Sequence, residues 1–234
     1  MEYENPKIPE DINTSKGHPL KELATLSAGV IGIIVLVVVL LSLMAEKLAV
    51  YIPFSLEQQL TENFIETEAS DQERQEYIQS LTIELAALME LPEGVTITAH
   101  YVEDDVQNAF ATLGGHIFIY KGLMDMLPHE NSLAMVISHE IAHIKHRHPA
   151  VAMGRGVVLA LLLTAVAGLD SNLLIGDIVN SAGMISMMNF SRDQERQADN
   201  SAIKAVNFHY GHVNGADELF NILLEQEDKT YIPE

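Results

Sequence analysis

Two histidines and a glutamate stand at a spacing that suits metal chemistry. Residues 139–143 read His-Glu-Ile-Ala-His, an H-E-x-x-H motif inside a stretch of helical periodicity over 132–148. This spacing places both imidazoles on one helix face, where two ring nitrogens can reach one zinc ion at about 2.0–2.1 Å. Glu140 lies about 100° around the helix from His139, so it can hold a water molecule beside the metal instead of ligating the metal. These residues predict a zinc site with a water molecule held by Glu140.

The alternative is an ordinary surface helix that carries two histidines. Against it, the motif stands among apolar residues of the same helix, namely Leu133, Val136, Ile137, Ile141 and Ile144. A helix of this composition packs into a core, where an acidic residue needs a reason to be present. The sequence therefore favours a buried functional helix.

A catalytic zinc needs a third protein ligand and an open coordination position. The candidates are Glu195 and Asp199, spaced i and i+4 on a helix that the capping-box pair Ser191 and Gln194 predicts to begin at Ser191. Glu195 can coordinate the metal while Asp199 accepts the N–H of a ligand histidine. Small residues such as Ala198 would let this helix approach closely. An exposed helix whose acids pair with neighbouring arginines stays open as the alternative.

A family resemblance joins these helices to two further motifs, Asn108-Ala109-Phe110 and Gly114-Gly115. The segment from about Val95 to Leu224 resembles the HtpX and CAAX-prenyl-protease zinc metallopeptidases. The resemblance implies a gluzincin fold of class α+β, mostly helical with a small edge-exposed β-sheet. It implies one zinc ion per chain and an extended substrate paired with a sheet edge. The implied residues are His139, His143 and Glu195 for zinc, Glu140 for catalysis, Asp199 behind a ligand, and Asn108, Ala109 and Phe110 for substrate.

The sequence departs from the family pattern near its C-terminus. Members usually carry a Ser/Thr-His-Pro segment after the last helix, and none stands before Glu234. Two alternatives stay open: the chain continues beyond Glu234, or the oxyanion is stabilised by another group. The nearby polar candidates are His209, Tyr210 and His212, although the interleaved Gly211 and Gly215 favour ordinary turn residues at these positions. The other histidines are interpreted as non-ligands: His18, His100, His116, His129, His146 and His148.

Periodicity predicts the elements that position these residues. Period-two segments predict short strands over 95–101, 108–112 and 116–120. Helical spacing predicts acidic helices over 55–89 and a last helix over 216–227. The acidic residues of the first of these regions are interpreted as solvated helix faces.

Two apolar stretches raise the question of a membrane. Residues 23–45 carry no charge, and a helix of this length spans about 35 Å, against about 30 Å of hydrocarbon. A cleaved signal peptide is the alternative, although its apolar core is usually shorter. The second region consists of 157–169, which Asp170 closes, and 173–188, which Asp177 interrupts. It predicts a helical hairpin on the domain or at the bilayer surface, with a true membrane span as the alternative.

The lysines around the first stretch predict its orientation. Lys7, Lys16 and Lys21 precede it and Lys47 follows, which places the N-terminus in the cytoplasm. We therefore expect a single-pass protein of the cell inner membrane with its catalytic domain in the periplasm. The expected division is a polar cytosolic tail at 1–22, an anchor at 23–45 and a metallopeptidase domain at 54–234.

Composition excludes several function classes. The formal net charge is −20, with 13 Lys and Arg against 33 Asp and Glu, which argues against nucleic acid as a partner. The absence of cysteine excludes a disulfide framework and a thiol nucleophile. The expected partners are a protein or peptide substrate and the lipid bilayer, through residues 23–45.

The sequence thus predicts a membrane-anchored zinc endopeptidase. By analogy with its family, it would act in quality control of membrane or envelope proteins. A chaperone or adaptor that binds in the same groove without turnover is the alternative. The intact Glu140 opposes that alternative, because a protein that only binds needs no base.

Overall fold

A computed structural model of the chain describes residues 18–48, 51–61, 71–167 and 190–218. By their contacts these residues form two separate units, one ending at Leu40 and the other beginning at Leu41. The helices are α1 (Pro19–Leu48), α2 (Phe54–Thr61), α3 (Gln72–Ala87), α4 (Lys121–Met126), α5 (Glu130–Lys145), α6 (His148–Ala167) and α7 (Arg192–Tyr210). The strands are β1 (Thr98–Val102), β2 (Ala109–Ala111) and β3 (His116–Tyr120). The predicted α+β class is confirmed.

Helix α1 is long and apolar. Its large side chains are mostly exposed, as at Leu26 and Ile33. Among the described residues it is the one helix that is long and apolar enough to cross a membrane, over Pro19–Leu41. The predicted span of 23–45 lies inside this helix.

The three strands form one small sheet in the order β1-β3-β2. β1 runs parallel to β3, with Ala99 opposite Ile117, and β2 runs antiparallel to β3, with Ala111 opposite the same residue. β3 has its predicted bounds. β1 begins later than predicted because the backbone of Val95 still belongs to a turn, bonded to the carbonyl of Pro92.

A tight turn joins β2 to β3. Gly114 and Gly115 adopt φ of 72° and 83°, a left-handed conformation that disfavours side chains. A Cβ on Gly115 would stand 1.9 Å from the carbonyl oxygen of Thr96. Glycine is therefore required here, and the predicted connection is confirmed.

Helix α5 occupies the centre of the core. Ile137 and Ile141 are fully buried, as the apolar character of this helix predicts. The inner face of the sheet packs on it from one side, and α3 and α7 pack from the others. The core residues contributed by these elements include Ile78, Leu85, Ala99, Ile117, Ile119 and Ala198. The H-E-x-x-H motif thus lies on a helix whose apolar residues are buried in the core.

The acidic helices are not uniformly solvated. Glu57 on α2 is 4% exposed and forms an ion pair with Arg147, so the interpretation of its region as a solvated face is wrong at this residue. The predicted hairpin over 157–188 begins in α6, and its part from 168 to 188 lies outside the described residues. The predicted helix over 216–227 also lies outside them from residue 219 onward.

Candidate active site

Helices α5 and α7 bring the candidate residues together. The hydroxyl of Ser191 accepts the backbone N–H of Gln194, and the side chain of Gln194 accepts the backbone N–H of Ser191. This capping box starts α7 where the sequence predicts. Ala198 and Ala202 are fully buried on the side that faces the core, so the helix axis can approach α5 closely.

Three donor atoms from these helices converge. Nε2 of His139 lies 2.9 Å from Nε2 of His143 and 3.3 Å from Oε2 of Glu195. Nε2 of His143 lies 3.8 Å from the same carboxylate oxygen. Donors on a tetrahedral ion with bonds of about 2.0–2.1 Å stand about 3.3 Å apart. The three residues therefore fit a single small divalent cation.

The protonation of His143 suits a ligand. Burial lowers its pKa to about 2, and the neighbouring His139 and His148 add to the effect. A histidine must be neutral to offer a nitrogen lone pair to a metal. His143 is therefore ready to coordinate near neutral pH.

Each of the two histidines has a second partner behind it. Nδ1 of His139 lies 2.9 Å from Oδ1 of Asp199, which is the contact that a ligand histidine makes with a supporting carboxylate. Nδ1 of His143 lies 3.0 Å from Nδ1 of His148. Phe190 stacks on the His143 ring with centroids 4.1 Å apart.

Glu140 stands beside the three donors and is held by the sheet. Its Oε2 accepts the backbone N–H of Ala111 at 2.7 Å. Burial raises the pKa of Glu140 to about 8, the N–H of Ala111 opposes this, and the negative charge of Glu195 adds to it. A cation among the donors would lower this pKa, since it favours the charged carboxylate. Without a cation, the buried carboxyl of Glu140 thus favours its protonated form near neutral pH.

The two edges of the sheet differ in accessibility. Along β1, side chains of α3 occupy the outer edge: Gln75 bonds the carbonyl of Ala99 and the N–H of Tyr101, and Gln79 bonds the N–H of Ala99. Along β2, the register turns the backbone groups of Ala109 and Ala111 away from β3. Among the described residues no strand covers the edge of β2 beside Glu140, so this edge is the one that can accept another strand.

A cavity of about 200 Å³ adjoins two of the three donors, His139 and Glu195. His139, Glu140, Glu195 and Asp199 form its polar wall. The remaining wall is largely apolar and consists of Met135, Val136, Ala216 and Ser132. The site thus combines a cation-binding cluster, a base and an apolar recess.

Comparison with known proteins identifies the family. The profile of Peptidase family M48 matches residues 72–229, which include both site helices and the sheet. The chain belongs to peptidase family M48. Membership confirms the resemblance stated from the motifs and the enzyme class, a metalloprotease, and it implies a metal cofactor.

Several relatives align with part of the chain. The mitochondrial metalloendopeptidase OMA1 of Schizosaccharomyces pombe is 35% identical over 43% of this chain and 29% of its own length. The beta-barrel assembly-enhancing protease of Escherichia coli is 29% identical over 56% of this chain and 28% of its own length. The metalloprotease LoiP of Escherichia coli is 35% identical over 42% of this chain and 40% of its own length. The match spans less than half the length of each of these relatives.

The predicted substrate residues of this M48 chain face different ways. The backbone carbonyl of Asn108 accepts the N–H of Tyr120, and Phe110 is paired with Phe118 of β3, so neither offers its backbone to the open edge. Ala109 does. Sequence reasoning missed Ala111, which turns its backbone groups to the same edge as Ala109. Since alternate residues of a strand face the same way, the spacing of two residues was a usable signal.

Sequence reasoning also missed His148 and Phe190 as neighbours of a candidate ligand. His148 follows His143 by five residues, beyond the end of α5, so helical spacing gives no signal for the contact. Phe190 directly precedes Ser191, where the helix that carries a predicted ligand begins. This position was a weak indication that Phe190 lies near the site.

Proposed function

We propose that this M48 chain is a membrane-anchored zinc endopeptidase that cuts extended segments of protein substrates. The observation that carries the proposal is the convergence of His139, His143 and Glu195, with Glu140 beside them at an open strand edge. Two neutral imidazoles and one carboxylate are the donor set of zinc hydrolases, and the spacing of the three atoms fits that ion. Zinc would polarise the scissile carbonyl and make the attacking water more acidic.

Glu140 handles the proton in this proposal. Its carboxylate takes a proton from the attacking water and later gives it to the leaving amine. The N–H of Ala111 fixes one carboxylate oxygen, which leaves the other free for this transfer. Asp199 holds the ring of His139 through Nδ1, so that Nε2 keeps facing the other donors.

The substrate is bound as an added strand. Backbone groups of Ala109 and the carbonyl of Ala111 lie on the open edge of β2 and recognise a peptide without regard to its side chains. The cavity beside Glu140 then receives one apolar side chain next to the scissile bond, against Met135 and Val136. Sequence preference would be weak except at this position.

The variant Glu140→Gln tests the proposal. Gln is nearly isosteric and keeps the contact with Ala111, but it cannot accept the proton, so cleavage of an unfolded reporter protein should fall about 10²–10⁴-fold. Zinc content should stay at one ion per chain. Glu84→Gln, on the exposed surface of α3, is the matched control and should cleave like the wild type.

Three readouts separate the possible results. Zinc content, affinity for the reporter and cleavage rate are measured side by side on the full chain in detergent. Cleavage by Glu140→Gln at the wild-type rate would refute the role of Glu140. Equal binding without cleavage by both proteins would favour the chaperone or adaptor function.

We further propose that α1 anchors the enzyme in the cell inner membrane with the catalytic domain on the periplasmic side. The exposed apolar side chains of α1 and the lysines before it support this. Because the chain has no cysteine, single cysteines report topology directly. A membrane-impermeant maleimide applied to spheroplasts should label Glu73→Cys and not His18→Cys, and the reverse pattern would refute the orientation.

A role in quality control of membrane or envelope proteins is proposed from the relatives. One is named for enhancing assembly of beta-barrels and another is a mitochondrial metalloendopeptidase. An open strand edge suits such a role, because unfolded proteins present free backbone to pair with it. Misassembled outer-membrane proteins should accumulate in a strain that carries only Glu140→Gln, and unchanged levels would argue against the role.

A further inference from the structure

The histidine that closes the motif is held from behind by another histidine. Nδ1 of His143 lies 3.0 Å from Nδ1 of His148, a residue only 3% exposed. Nε2 of His148 lies 3.1 Å from Oε1 of Gln197 on α7. A line of contacts therefore runs from the candidate metal donor through a buried imidazole to the helix that carries Glu195.

Only one assignment of hydrogens satisfies these contacts when Nε2 of His143 faces a cation. That nitrogen then carries no hydrogen, so the neutral ring carries it on Nδ1 and donates it to His148. His148 must accept at Nδ1, and its own hydrogen lies on Nε2. Nε2 donates in turn to Oε1 of Gln197, an oxygen that only accepts. Each donor in the series meets an acceptor.

We propose that His148 is a positioning residue of the metal centre. It selects Nε2 of His143 as the metal-facing nitrogen and fixes the plane of that ring, and Gln197 selects the matching tautomer of His148. The inference rests on the proposed metal site, not on peptide cleavage. Asp199 acts on His139 in the same way but with a charged acceptor.

Zinc affinity measures this role without reference to activity. Removing a partner of a metal-bound histidine typically weakens metal binding 10–100-fold, and a neutral acceptor belongs at the lower end. We expect His148→Leu to raise the zinc dissociation constant about tenfold. The full chain in detergent is titrated with Zn²⁺ against a chromogenic chelator.

Two variants distinguish positioning from packing. His148→Asn places an oxygen near the position of Nδ1 and should restore zinc affinity to within about threefold of the wild type, because the acceptor for His143 returns. His146→Leu is the matched control on the same turn, since His146 bonds to the hydroxyl of Ser201 instead. It should bind zinc like the wild type.

The proton assignment has its own signature. The ¹⁵N shifts of His143 in the zinc-loaded chain should show a hydrogen on Nδ1, and His148 should carry its hydrogen on Nε2. Gln197→Leu should weaken zinc binding by a smaller factor than His148→Leu, because it removes only the outer contact.

Distinct results overturn the proposal. Wild-type zinc affinity in His148→Leu, or a hydrogen on Nδ1 of His148, would refute it. Should His148→Leu not fold, a folded His148→Asn with strongly weakened zinc binding would refute it equally. The two proposals can fail separately. If the His148 variants weaken zinc binding as expected but the wild-type chain cleaves no substrate, this inference is supported and the proposed function is refuted.

Discussion

The buried ion pair of Glu57 and Arg147 gives a stability prediction whose size follows from its burial. Oε1 of Glu57 lies 2.7 Å from Nη2 of Arg147, and the two side chains are 5% and 10% exposed. Removing one partner leaves an uncompensated buried charge, at a cost of about 3–5 kcal/mol. We expect Glu57→Leu and Arg147→Met each to lower the free energy of unfolding by that amount, or Tm by about 6–20 °C.

The double variant shows whether the cost comes from the pair. With both charges replaced by apolar side chains, no buried charge is left alone, so the loss should be far smaller than the sum of the single losses. Thermal unfolding of the full chain in detergent measures all three variants. Asp105→Ala, which removes an exposed partner of Lys121, is the control and should change stability by less than about 1 kcal/mol. Additive single losses would refute the reasoning.

The same pair holds a strained turn between two histidines of the site. Arg147 adopts φ of 63°, a left-handed conformation that costs a non-glycine residue about 1–2 kcal/mol. Its guanidinium also donates to the carbonyl of Ile52 at 2.5 Å, which ties the turn to the chain before α2. Arg147→Met should therefore weaken zinc binding as well as stability, because His148 follows directly.

Three further predictions concern the affinity for zinc, stability at low pH and the turn between β2 and β3. Glu195→Ala should weaken zinc binding strongly, since two histidines leave the ion under-coordinated, and unchanged affinity in a chelator competition would refute the ligand assignment. Burial beside another imidazole lowers the pKa of His100 to about 4, so its neutral form contributes stability above about pH 6.5 that is lost as pH falls through 4. His100→Phe should reduce that acid loss by about 3 kcal/mol in denaturant titrations at pH 7 and pH 4. Gly115→Ala should destabilise more than Gly94→Ala in thermal unfolding, because both have positive φ but only the first Cβ would strike a carbonyl.

Local patterns in the sequence were sufficient for the parts of the site that lie on single elements. The spacing of His139 and His143 holds in α5 because helix geometry alone determines it. The capping box at Ser191 begins α7 for the same reason, since its hydrogen bonds join residues three apart. Strand β3 was predicted with its observed bounds from alternation.

Contacts between distant parts of the chain were not predictable from such patterns. Glu57 stands in a run of acids that indicates a solvated face, and its partner is far along the sequence. His148 contacts His143 because the chain turns at Arg147, which has a positive φ. Nothing in the sequence predicts a positive φ at an arginine. In both cases tertiary packing, and not local propensity, decides the environment.

The exposed edge of β2 sets a limit on the substrate pairing that we propose. Of the groups that Ala109 and Ala111 turn outward, the N–H of Ala111 is already bonded to Glu140. In the proposed binding mode, an added strand can therefore donate to and accept from Ala109 and donate to the carbonyl of Ala111, but the N–H of Ala111 is not available to it as a donor. The substrate carbonyl that faces the N–H of Ala111 would thus have no donor in the ladder and would lie beside Glu140. A peptide that is N-methylated at the positions facing Ala109 and Ala111 should lose affinity, and one methylated beyond the site should not. Equal affinity of the two peptides would refute binding by strand addition.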